Sequence, residues 1–409
     1  MTKVPQNAAN PVDNIVDNPE TILPLAGTRI VDLTSNMSGP LATMVLADQG
    51  ADVVKVEPLT GDAIRAVGTG HDGMSAYFAN NNRGKRSIAV DLSFAEGREL
   101  VRRLTATADV FAQNFRPGVV ERLDLGADVL LEDNPRLVYG SISGFGRVGP
   151  LAGAPAYDHV VQALSGFAAL QSDGTGEPSM VRHGVVDKAT AYTFAQAVTA
   201  ALLRRARTGV GGRVDVSMLD VAIAFLWPDG MMDNTVDNPV TKLPPTSRSF
   251  RVTPTADGQV VLVTLTAAQW SGLTTALLDE TDGGAMADTA ARMRGGAEVM
   301  RRVRARIATL PTAEVVERLR VADVPVAPVL ALDEVAHHEQ VVASGTVRAF
   351  DHSVLGPVHQ PRPAPLWDGR PGEAAPTAPR LGEHGTEILT EAGWAPADIE
   401  SLRSRGIIA

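Results

Sequence analysis

The chain has 409 residues, 44% hydrophobic and 21% charged, enough apolar material for two folded domains. A formal net charge of -10 and a pI of 5.3, with no basic run longer than Arg83-Gly84-Lys85-Arg86, argue against nucleic acid or anionic membrane as the main partner. The chain has no cysteine, which excludes disulfides, zinc–thiolate centres and thiol nucleophiles.

In chain order, residues 1–24 are rich in Asn, Asp and Pro, lack a basic-then-apolar leader pattern, and read as a poorly ordered tail. No apolar run approaches membrane-spanning length, and the expected setting is cytoplasmic. Thr28–Leu33 reads as a buried strand. Pro40 suits the first position of a helix reaching Gln49, with Gly50 as its C-terminal cap, and Ala51–Glu57 is the next strand. This βαβ crossover implies a parallel sheet. Ser87–Val90 is a strand, and Ser93 with Glu96 predicts a capping box for a helix to Ala106. Strands at Asp109–Gln113 and Arg136–Ile142 follow, then a helix opened by Tyr157-Asp158. An alanine-rich helix over Ala189–Ala206 and a last strand at Gly212–Ser217 complete an open α/β sheet with helices on both faces. Composition changes near Trp227. Residues 228–330 read as a linker and a smaller α+β domain, and residues 331–409 as a C-terminal segment.

Five stretches bear on the chemistry. Asp187 follows Arg182-His183-Gly184 and precedes the alanine-rich helix; a carboxylate at such an entrance is either a nucleophile or a helix cap. The turn at Gly39-Pro40 lacks the three glycines of a dinucleotide fingerprint, so a nicotinamide site is weakly supported. The Arg83-Gly84-Lys85-Arg86 loop suits a multiply charged phosphate, or is a solvated turn. Asn114-Phe115 with Arg122, and Ser143-Gly144-Phe145, fall at carboxyl ends of predicted strands, where open α/β sheets hold ligands.

Assembled in order, these segments resemble the CaiB/BaiF family, the class III CoA-transferases. The matching stretches include Ser38-Gly39-Pro40, Gly50–Glu57, Gly61-Asp62, Asn82–Ser87, Asn114–Gly118, Ser143–Gly146, Pro155–Asp158 and Leu381–His384. The resemblance implies a Rossmann-like large domain completed by the C-terminal segment, a smaller middle domain, and an interlocked homodimer. It places Asp187 at the family's catalytic aspartate. Lys85, Asn114, Phe115, Arg122, Gly144 and Phe145 fall where CoA-binding residues lie, Arg86 joins Lys85 near the CoA phosphates, and Met37, Tyr157 and Gln162 fall in the substrate pocket. CoA enters as a substrate, its thioester exchanged with a small carboxylic acid, and no metal or bound cofactor is expected. Two other readings come with the fold: an α-methylacyl-CoA racemase, which needs a histidine where this chain has Tyr157, and an inactive CoA-binding paralogue. The formyl-CoA enzymes carry a middle-domain glycine run and a glutamine where this chain has Thr241–Gly258 and Met37. The acid pair is therefore expected to differ from formate and oxalate, and Arg65 and Arg182 are candidate anchors for a second carboxylate.

Overall fold

The computed structural model describes residues 23–172, 176–238, 250–280, 289–371 and 377–409. Most of the expected tail, and residues 241–249 of the middle-domain loop, lie outside the described residues. The large unit runs β1 (Arg29–Asp32), α1 (Ser38–Ala47), β2 (Asp52–Glu57), a short hairpin of β3 (Gly70–His71) and β4 (Met74–Ser75), α2 (Ala76–Asn82) and β5 (Lys85–Ala89). It continues with α3 (Ala95–Ala106), β6 (Val110–Gln113), α4 (Val119–Arg122), α5 (Ala127–Asp133), β7 (Val138–Ser143), α6 (Asp158–Ser165), α7 (Phe167–Leu170), α8 (Val185–Thr208) and β8 (Gly212–Ser217). Six strands form one sheet in the order β5-β2-β1-β6-β7-β8, every pairing parallel.

The central strands are apolar because helices cover both faces of a parallel sheet. Ile30 lies between Val53 and Val110, and Val31 between Val54 and Phe111; all are buried. The helices Gly385–Glu391 and Pro396–Ser404 return to this unit and place Ile388, Leu389 and Ile399 in one core with Val54, Ile88 and Leu100.

Three local readings change. Ser93 does not cap α3: its N–H donates to the Asp91 carboxylate, an Asx turn that delays the helix and leaves Phe94 at the N-cap. The alanine-rich helix starts earlier than expected, at Val185, so Asp187 sits within its first turn and Gly184 takes the N-cap position. The chain leaves the large unit at Trp227 and rejoins it at Ser344 rather than at residue 331, because two short helices, Val335–His337 and Glu339–Ala343, stay with the small unit.

The small unit, Pro228–Ala343, holds a three-stranded antiparallel sheet of β9 (Thr253–Pro254), β10 (Gln259–Leu262) and β11 (Val326–Pro328), in the order β11-β10-β9. Val260, Leu273, Val303, Ile307 and Leu319 form its core. No helix among the described residues is long and apolar enough to cross a membrane.

Candidate active site

A doubly wound sheet opens a crevice at the carboxyl ends of its strands where the strand order reverses, here between β1 and β6. Asn114, just past β6, bridges it: its side-chain oxygen accepts the Ser35 N–H at 2.9 Å and its amide donates to the Ser35 carbonyl at 2.8 Å. Asn36 takes a left-handed backbone, φ 65°, which Asn tolerates better than most residues. That turn brings Ser38 to the start of α1.

A cavity of roughly 170 Å³ lies here, lined by Asn36, Ser38, Asn114, Phe115, Arg116, Gly144, Tyr157 and Asp187 among others. Gly144 is required by packing: a Cβ there would lie 2.2 Å from the Ala156 Cβ, so only glycine lets the β7 exit meet the segment leading to Tyr157.

Asp187 does not cap its own helix; Asp158 caps it from α6. The Asp187 N–H donates to Asp158 Oδ2 at 2.9 Å. Gln162, one turn along α6, donates to the other Asp158 oxygen. Gln162 also accepts the Val181 N–H at 3.0 Å and donates to the Val181 carbonyl at 3.2 Å, fixing the approach to α8. Gly184 lies against Met37, whose sulfur would be 2.8 Å from an added Cβ. Burial pushes the Asp187 carboxyl up to about 6, and the Asp158 charge adds to the rise; a hydrogen bond from Ser38 and the nearby His159 oppose it. The group is thus ionised at neutral pH yet more basic than an ordinary aspartate, which favours a nucleophile.

The predicted residues divide. Asn114, Phe115, Gly144, Tyr157 and Asp187 share the cavity wall. Met37 packs at the α8 entrance, Phe145 is half-buried beside Gly144, and wholly buried Gln162 supports Asp158 from behind. Arg122 and Arg182 are exposed. The basic loop is turned inward. Lys85 Nζ donates to Asp32 Oδ2 at 3.0 Å, the Pro40 carbonyl at 2.9 Å and Asn82 Oδ1 at 2.8 Å, which uses all three donors of the ammonium. Arg83 forks onto Asp48, and Arg86 onto Asp52 with Glu387 and Glu391 beyond. Arg65 is no free anchor either: two 2.7 Å bonds join it to Glu57, and its guanidinium stacks on Phe78 at 3.6 Å. The structure therefore gives these cations to internal ion pairs. The residues missed were Asp158, Ser38 and Arg116. Asp158 opens α6 within the Pro155–Asp158 stretch, and its i, i+4 spacing to Gln162 on one helix face was a second signal.

Residues 25–385 match the profile of CoA-transferase family III. The chain belongs to that family. This family III CoA-transferase is 34% identical over 400 residues to the succinate–glutarate CoA-transferase of Agrobacterium fabrum, covering 92% of this chain and 98% of the relative. It is 32% identical over 400 residues to the succinyl-CoA:glutarate CoA-transferase of Mus musculus, covering 95% of this chain and 91% of that one. A solved CaiB/BaiF family structure from Brucella suis superposes with a TM-score of 0.77 at 30% identity, over 90% of this chain and 99% of that one. The protein is an enzyme that transfers CoA, as the motifs implied.

Proposed function

We propose that Asp187 carries this CoA transfer as a covalent nucleophile, with dicarboxylic acids as the substrate class. The observation that supports it is Asp187 itself: a carboxylate lifted to about 6, partly buried on a cavity at the sheet's carboxyl edge, with the Ser38 hydroxyl on it. An Asp187 oxygen attacks the donor thioester carbonyl and CoA leaves as thiolate, giving a mixed anhydride. The thiolate attacks the aspartyl carbonyl, freeing the donor acid as carboxylate and forming an aspartyl-CoA thioester. The acceptor carboxylate then displaces the thiolate to form a second anhydride. Attack of the thiolate on its acyl carbonyl gives the new acyl-CoA and frees Asp187. A carboxylate is a weak nucleophile, so the reacting atoms must be held in register, and backbone amides near Gly144 can face the developing oxyanions.

A cavity of roughly 170 Å³ is below the ~300–1,000 Å³ of sites that enclose drug-sized ligands. It suits the acyl group and the sulfur, while the nucleotide lies outside, within reach of the exposed Arg116 and Arg122. The relatives named for succinate and glutarate support a dicarboxylic donor such as succinyl-CoA. A cytoplasmic homodimer completes the reading. It rests on the family resemblance and the cysteine-free composition, and a groove of about 1210 Å³ lined by Leu41, Met44, Tyr192, Leu203 and Trp367 offers apolar surface for a second copy. A matrix of CoA donors against carboxylic acids, read by mass spectrometry, tests the assignment. Succinyl-CoA with a short dicarboxylate is expected to exchange fastest, and formyl-CoA with oxalate as the best pair would refute the substrate class.

A further inference from the structure

We propose that Lys55 and Asp62, which reach no substrate, are positioning residues that hold the Thr34–Asn36 wall of the site in its reactive shape. The inference rests on the CoA-transfer reading of that site. Six charged side chains, Asp32, Lys55, Glu57, Asp62, Arg65 and Lys85, lie at or beside the sheet, each at most 7% exposed. None takes part in the chemical steps above. Buried ion pairs are weak evidence for stability, because the desolvation of both charges offsets their attraction. A buried pair that adds little stability invites the question of what its geometry fixes.

Here the bonds converge on one loop. Lys55 Nζ donates to the Thr34 carbonyl at 2.8 Å and to Asp62 Oδ2 at 3.1 Å. The other Asp62 oxygen accepts the Asn36 N–H at 3.2 Å and the Ile64 N–H at 3.3 Å. Asp32 Oδ1 accepts the Thr34 N–H at 2.9 Å, while Asp32 Oδ2 accepts from Thr43 and Lys85 at 2.7 and 3.0 Å. Ser35 is held by Asn114 from the far side of the crevice. Each residue from Thr34 to Asn36 thus has backbone groups bonded to a buried or half-buried side chain. The restraint matters at Asn36, whose left-handed backbone is tolerated by Asn but held in one place by these partners. That loop places Asn36 in the cavity and delivers Ser38 to Asp187.

The Lys55→Met/Asp62→Leu double variant separates positioning from bulk stability, because removing both charges together is often neutral for the fold. It is expected to fold with a lowered melting temperature, because the Thr34 carbonyl and the Asn36 and Ile64 N–H groups lose their partners although no charge is left unpaired. The kcat for CoA transfer is expected to fall on the order of 10- to 100-fold, with the donor KM changing far less, as for a misplaced reacting group. Amide hydrogen exchange should quicken at Thr34–Asn36 and stay slow elsewhere in the sheet. Wild-type kcat in the folded double variant, or unchanged exchange at that loop, would overturn the proposal. Should that variant not fold, Asp62→Asn keeps the side-chain shape and weakens the acceptors; a kcat loss at constant KM supports positioning, and full kcat refutes it. If the wild-type protein transfers no CoA to any acid, the catalytic reading fails by itself, and the exchange measurement then decides whether Lys55 and Asp62 hold the loop.

Discussion

Replacing Asp158 with Asn removes a negative charge beside Asp187 while keeping the size of the side chain. Burial first, and the Asp158 charge second, lift the Asp187 carboxyl from 3.8 to about 6. That rise is about two units, an upper figure of about 3 kcal/mol at ~1.4 kcal/mol per unit, lessened by the partial exposure of the side chain. Burial takes the larger share, so loss of the Asp158 charge should lower the Asp187 pKa by on the order of one unit or less. Asp158→Asn is therefore expected to move the acidic limb of kcat from near pH 6 toward about pH 5. Stability follows the same linkage with a definite sign. A carboxyl raised in the folded state contributes stability that is complete below about pH 3.8 and lost as pH rises through about 6. The variant loses less across that window. Against this, an Asn has one acceptor oxygen where Asp158 serves two donors, the Asp187 N–H and the Gln162 amide. The unpaired donor costs about 1–3 kcal/mol. The variant should therefore be less stable than wild type at pH 5, with part of the difference recovered by pH 7.5. Saturating kcat and melting temperature, followed from roughly pH 4.5 to 8, measure both effects. An acidic limb that stays put or moves upward would refute the reasoning.

Lys85→Ala is expected to destabilise the fold by up to about 3–5 kcal/mol, because it removes the ion-pair partner of buried Asp32 and leaves it Lys55 and the Thr34 and Thr43 hydrogen bonds, while leaving calorimetric CoA affinity unchanged in the folded fraction. Arg122→Ala should instead weaken CoA binding and flatten its salt dependence, as for an exposed charge-assisted contact. Gly144→Ala must displace Ala156 from a 2.2 Å approach, and steady-state kinetics should show kcat falling on the order of 100-fold as the Tyr157 side of the cavity shifts. In deuterated water, a 2-methylacyl-CoA should keep its α-hydrogen and its optical activity. The family resemblance puts Tyr157 where the racemases carry histidine, and a phenol is a far poorer proton acceptor than an imidazole at neutral pH.

The sheet was legible because its apolar runs alternate with helix signals, and each strand lies within a residue or two of its predicted place. The parallel direction of the six strands also follows from repeated βαβ crossovers, whereas their order, β5-β2-β1-β6-β7-β8, was not read from the sequence. The fate of the basic loop was not legible. Its partners Asp32, Asp48 and Asp52 lie far back in the chain, and β2–β5 pairing, with Val53 opposite Lys85 and Val54 opposite Arg86, helps bring them alongside. A cation cluster in a sequence looks the same whether it meets solvent, a phosphate or buried acids. Asp158 was visible as a helix start within a matching stretch, but its capping role was not, since that depends on α6 meeting the first turn of α8. Ser93 shows the reverse error: the capping-box spacing is present, but Asp91 competes for the same N–H and wins.

The central claim, that Asp187 carries the transferred group, is tested most directly by trapping. Wild-type protein incubated with an acyl-CoA donor and then treated with hydroxylamine or borohydride should be modified at one carboxylate. Tryptic cleavage after Arg182 and Lys188 isolates that residue on the peptide His183–Lys188. Modification confined to this peptide, and absent in Asp187→Ala along with transfer activity, is the predicted result. A trapped adduct on any other peptide, or undiminished transfer by Asp187→Ala, would contradict the account.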